Sequence, residues 1–170
     1  MRALRHRGIE TREIRKLNLP SESGGGAGEQ YVREHYAREV QAARAAGRTG
    51  PVGLVVHIDA DPTHTVRERH AQLAAALRDA GEKPRQPGEH IAELVPKRNI
   101  ETWIYALDGS LGAGPGPLDE AKAYPKLGSP RACATAAETF ADHARLATIP
   151  AVAKDVPSLK DGLEELRRLP

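Results

Sequence analysis

Sulfur and aromatic rings are what this chain has least of. A single cysteine, Cys133, stands among 170 residues, so no intramolecular disulfide can form and packing alone must hold the fold. Aromatic content is only 4%, which leaves Leu, Val, Ile and Ala to fill most of the core. No apolar run approaches the roughly 20 residues needed to cross a bilayer. Residues 1–8 lack the apolar stretch of a secretory signal. Excess charge is missing too. A net charge of +2 neither requires a nucleic-acid partner nor excludes one, because a basic face can hide inside a balanced total. These absences predict a cytoplasmic protein with no membrane segment, long enough for one domain with a real core.

What is present is an alternation of strand and helix patterns. Residues 2–7, closed by Gly8, read as the end of a helix. Residues 10–19, with Ile14 among charged neighbours, read as an edge strand, and the glycine-rich stretch 21–28 as a loop. A helix is expected over 29–46, where Val32, Tyr36, Val40 and Ala43 recur at helical spacing. Pro51 opens the most apolar strand, 52–58, as expected for a strand covered on both faces. Thr65 and Glu68 make a capping-box pattern for a helix to Ala80, with Val66, Leu73 and Leu77 inward and Gly81 as terminator. A short strand follows over 90–95, stopped by Pro96. Asn99 is placed to cap a helix running through Trp103 to Leu107.

Helical patterns return over 130–147 and 158–169, the last with Ser158 as cap and Leu159, Leu163 and Leu166 as its stripe. The whole predicts an α/β fold: a mostly parallel sheet flanked by helices on both faces, with a helical C-terminal segment. The expected division is an α/β domain over 1–108, a Gly/Pro linker over 109–117, and a helical extension over 118–170 packed on the same domain.

Chemistry is concentrated where strands end. In His57-Ile58-Asp59-Ala60-Asp61, alternation along an extended chain would project Asp59 and Asp61 to one side, about 6 to 7 Å apart. Two carboxylates that close repel unless a cation or proton lies between them, and a hard divalent ion such as magnesium is the natural occupant. The plain alternative is a solvated pair or a cap for the next helix. His57 and His64 add the ingredients of a zinc site, although His57 falls inside the strand pattern and reads as structural. The second cluster is Pro96-Lys97-Arg98-Asn99-Ile100-Glu101-Thr102-Trp103. Following a strand, it belongs on the same rim, where Glu101 is a further candidate metal ligand and Lys97 or Arg98 can neutralise a phosphate. Read structurally, Glu101 is a first-turn helix charge and Trp103 a core anchor. The loop 24–28 has the geometry of an anion cradle but lacks the Lys-Ser/Thr of a P-loop. Arg12, Arg15, Lys16, Arg33, Arg38, Arg44 and Arg48 are candidates for a phosphate-facing surface, or simply solvated faces.

A strand closed by Asp59-Ala60-Asp61, followed one βα unit later by a strand and Pro96-x-x-x-x-Glu101-x-Trp103, resembles the Toprim-type domain of OLD-family nucleases and small defence-associated relatives. The resemblance spans about residues 29–107. It implies a Toprim-like, Rossmann-like sheet and magnesium- or manganese-dependent cleavage of nucleic-acid phosphodiesters, with an ATPase partner in defence or repair. Carried over, Asp59, Asp61 and Glu101 are the metal ligands and catalytic acids, and Lys97 is the candidate basic residue. The glutamate that such domains carry after their first strand has no clear counterpart; Glu29 and Glu22 are candidates to replace it. The chain is therefore expected to lack its first strand, exposing an edge of residues 52–58 and favouring self-association as a homodimer. Two other readings stand beside this one. The first is a non-catalytic binding or regulatory subunit that keeps the fold. The second is a phosphatase, because residues 54–63 also fit an hhhhDxDxT pattern with Asp59 as nucleophile.

Overall fold

Two short parallel strands organise the chain. The computed structural model describes residues 2–10, 14, 27–108 and 130–170. In chain order these residues form α1 (Arg2–His6), α2 (Ala27–Ala46), β1 (Leu54–His57), α3 (Val66–Asp79), β2 (Ile91–Leu94), α4 (Ile100–Asp108), α5 (Pro130–Arg145), a 3-10 turn (Ala151–Lys154) and α6 (Pro157–Leu166). β1 and β2 pair in parallel, Leu54 opposite Ile91 and His57 opposite Leu94. The sheet is smaller than the sequence suggests: two strands among the described residues, in a mostly helical molecule. The edge strand expected over 10–19, apart from Glu10 and Ile14, and the linker expected over 109–117 lie outside the described residues.

Helices cover both faces of this ribbon, which explains why β1 is apolar almost throughout. On one face Val56, Ile58 and Ala60 of the β1 segment and Ile91 and Val95 of the β2 segment pack against Tyr36 and Val40 of α2 and Leu73 and Leu77 of α3. On the other, Ala92, Val55 and Leu94 meet Trp103 of α4, Phe140 of α5 and the Leu159, Leu163 and Leu166 stripe of α6. The C-terminal helices thus share a core with α4. Their wide apolar faces were legible, but what they cover was not.

Local signals explain most helix boundaries. Thr65 caps α3 in a full capping box: its hydroxyl accepts from the Glu68 backbone N–H, and the Glu68 carboxylate accepts from the Thr65 N–H. Asn99 accepts from both the backbone N–H and the hydroxyl of Thr102 at the start of α4. Ser158, expected as a cap, instead lies inside α6, which starts at Pro157. Its buried hydroxyl accepts the Trp103 indole N–H at 2.9 Å. A buried indole needs an acceptor, and that tertiary demand outranks the local capping preference.

Among the described residues, the outer edge of β2 is closed by side chains rather than by a third strand. Arg85 donates to the Ile91 carbonyl at 2.9 Å, and the Glu165 carboxylate accepts the Glu93 N–H at 2.9 Å. Arg85 and Glu165 also pair with each other, so α6 and the segment before β2 saturate the edge groups that would otherwise recruit a strand.

Candidate cation site at the strand ends

Beyond the regular ladder, parallel pairing continues toward the carboxyl rim. The Ile58 N–H donates to the Leu94 carbonyl at 3.2 Å, and the Ala60 N–H to the Pro96 carbonyl at 2.8 Å. This pairing holds Asp59 and Lys97 on adjacent strand ends, the place where open α/β sheets bind ligands. Ile58 and Ala60 are buried against α2 and α3, so Asp59 between them turns to the opposite side and keeps 40% of its side chain exposed. Extended geometry stops at Asp61, whose φ of 63° is left-handed and opens a turn. Aspartate tolerates that conformation better than most residues. The expected common projection of Asp59 and Asp61 therefore rested on an extended backbone that ends one residue too soon.

The Asp59 carboxylate has an unusual environment. Its Oδ1 is shut off from solvent and accepts no hydrogen bond. His57 Nε2 lies 3.2 Å away, close enough for charge attraction but outside hydrogen-bonding geometry. His57 is exposed at the end of the strand, not packed within it. Lys97 donates its Nζ–H to the His64 carbonyl at 3.2 Å, which draws the β2 strand end over the Asp61–His64 turn. The same lysine and His64 favour ionised Glu68, whose pKa is lowered chiefly by the hydrogen bonds from Thr65. Arg98, half-buried beside Lys97, has a buried Nε that finds no acceptor.

Glu101 lies in the first turn of α4, which begins six residues after β2 on the same rim. Among the described residues, no three His, Cys, Asp or Glu side chains are grouped so as to hold a metal ion. Asp59, Asp61 and Glu101 thus occupy one end of the sheet without converging on a point, and His57 and His64 do not complete a cluster with the aspartates. Glu29, a candidate for the missing acidic residue, is engaged differently: its carboxylate pairs with Arg33 and with the buried Arg69. Glu22 is outside the described residues.

Sequence reasoning missed Arg69, which is 1% exposed. The signal was present in the spacing, because Val66, Arg69, Leu73 and Leu77 follow one helical stripe. A charged residue on that stripe was passed over. Its guanidinium donates to the Asp59 carbonyl at 3.0 Å, the Ala60 carbonyl at 3.4 Å, Glu29 at 2.5 Å and Gln72 at 2.6 Å.

A second buried polar cluster centres on Glu93, in the middle of β2. Tyr36 donates its hydroxyl at 2.5 Å, His70 Nδ1 lies at 2.6 Å and Arg85 at 3.4 Å. Burial pushes the Glu93 carboxyl up, but His70, Arg85 and Tyr36 together outweigh it and hold the pKa below the ordinary glutamate value. Burial, then the negative charge of Glu93, drives the Tyr36 phenol upward.

The basic surface expected from the sequence is largely neutralised where it is described. Arg33 pairs with Glu29, Arg38 with Glu39, and Arg44 with Glu82 and Glu89. Arg38, Gln41, Arg44 and Arg48 line an open groove of about 570 Å³ along the C-terminal half of α2, whereas Asp59 is approached from the α2 N-terminus. Arg12, Arg15 and Lys16 are outside the described residues. No helix among the described residues is long and apolar enough to cross a membrane.

Compared with protein-family models, curated proteins and solved structures, the chain finds no match.

Proposed function

We propose that this α/β protein is a magnesium- or manganese-dependent hydrolase of nucleic-acid phosphodiesters, with a Toprim-like domain resembling that of OLD-family nucleases. The observation that supports it best is a pair of orphaned atoms at one sheet end. Among the described residues Asp59 Oδ1 accepts no hydrogen bond and faces only His57 Nε2, at 3.2 Å, while Arg98 Nε is a buried donor without an acceptor. A cation against Asp59 and a phosphate oxygen against Arg98 would satisfy both. When bound, magnesium or manganese supplies Lewis-acid polarisation of the phosphate and an activated water. On this reading Asp59 is the first ligand of the ion, Asp61 and Glu101 on the same rim would have to close on it, and Lys97 and Arg98 neutralise the phosphate. The partners are nucleic acid, an ATPase subunit and a second copy of the chain.

The test is cleavage of DNA and RNA by the full chain with magnesium or manganese. Activity is expected with the ion and abolished in Asp59→Asn, which removes a ligand charge with little change of shape. Metal binding without cleavage would support a non-catalytic binding or regulatory subunit instead. Release of inorganic phosphate from small phosphomonoesters would support the DxDxT phosphatase, with Asp59 as nucleophile.

A further inference from the structure

We infer that Arg69 is the positioning residue of the Asp59 site; this rests on the cation-binding reading of that site. Its side chain runs from α3 into the corner where α2, the end of β1 and α3 meet. Two of its nitrogens grip the carbonyls of consecutive residues, Asp59 and Ala60, just where the chain leaves the ladder and turns at Asp61. Another nitrogen holds Glu29, in the first turn of α2, together with Gln72. A cation as fully buried as this one requires compensation, and Glu29 supplies the opposing charge. The planar fork of arginine can hold two carbonyls and a carboxylate at once; the point charge of lysine cannot.

The consequence is specific to the site. On the ladder side, pairing of Ala60 with Pro96 fixes the backbone. On the helix side, Arg69 holds the Asp59 and Ala60 carbonyls. Asp59 Oδ1 keeps its buried position beside His57 because the peptide that carries it is clamped from both sides. Residues that orient metal ligands typically alter metal affinity by about 10- to 100-fold when replaced.

Charge and position predict opposite signs here. Arg69→Met removes a positive charge near the site and leaves Glu29 paired with Arg33 alone, so electrostatics alone would make a cation bind more tightly. Loss of positioning makes it bind more weakly. The experiment is titration of Mn²⁺, followed by its paramagnetic signal, into the full chain and into Arg69→Met, Arg69→Lys, Glu29→Ala and Asp59→Asn. Thermal unfolding is recorded in parallel, and binding is measured well below each midpoint. Binding is expected to vanish in Asp59→Asn and to weaken about tenfold or more in Arg69→Met. Arg69→Lys, which keeps the charge, should weaken it as well, and it carries the test if the methionine variant does not fold. Glu29→Ala should weaken binding by leaving the cation uncompensated. Unchanged or tighter Mn²⁺ binding in folded Arg69 variants, with Asp59→Asn still inactive in binding, would overturn the positioning role alone. Unchanged binding in Asp59→Asn would overturn the cation site itself, and the inference with it.

Discussion

At the scale of single residues, close packing decides outcomes that propensity would get wrong. Gly162 lies inside α6, where alanine normally stabilises by about 1 kcal/mol. Here a Cβ would come within 3.0 Å of three atoms of the Trp103 ring. That ring is 2% exposed and tethered through its indole N–H to Ser158, so it has nowhere to move. Gly162→Ala should therefore destabilise the protein by about 1–3 kcal/mol, the usual cost of overpacking. Urea unfolding with near-ultraviolet circular dichroism of the single tryptophan checks it; a neutral or stabilising result would mean the ring can rotate away. Trp103 was legible in advance as a core anchor, because a large apolar ring three residues into a capped helix has few other uses. Its partner was not. Nothing in the local sequence distinguishes a serine that caps a helix from one that receives an indole across 55 residues.

At the scale of elements, β2 shows how a strand end of a two-stranded sheet is kept from recruiting neighbours. The Arg85–Glu165 pair satisfies the Ile91 carbonyl and the Glu93 N–H, and Arg168 donates in turn to Glu165. Arg7 of the turn after α1 closes the far end of α6, donating to the Leu166, Leu169 and Pro170 carbonyls. Glu165→Ala should orphan a strand N–H and leave Arg85 with the Ile91 carbonyl and, for its charge, the more distant Glu93. A loss of about 2–4 kcal/mol is expected, within the range for breaking a buried pair. Amide exchange should show the Glu93 N–H losing protection before the Ile58 and Ala60 N–H groups, which are bonded between the two strands. Equal loss at all three would mean the clamp acts on the whole sheet rather than its edge. The two strands, their order and all six helices of the described residues were readable from periodicity and caps. The side-chain closure of β2 was not, since it joins residues 80 apart.

At the scale of the whole molecule, stability depends on a charged group placed inside an apolar layer. Glu93 belongs to the face of β2 that meets α2 and α3, yet it is 5% exposed and held ionised. Because its folded pKa lies below its unfolded one, its contribution is complete above the ordinary value of 4.5 and is lost as pH falls below it. The unfolding midpoint should hold from neutrality down to about pH 5 and then decline. Glu93→Gln should cost about 3 kcal/mol at pH 7 and flatten the acid limb; parallel decline in both proteins would place the acid sensitivity elsewhere. The sequence by itself determined the alternation of strands and helices, the capping box of α3, the apolar stripes and the strand-end address of Asp59, because each depends on neighbours within one or two turns. Only the tertiary structure decided that Arg69 and Glu93 are buried, that Asp61 leaves the extended path, and that Asp59 Oδ1 is buried beside His57. A buried charge is stabilised by partners drawn from several elements, and which elements meet is settled by packing of the whole chain, not by any local pattern.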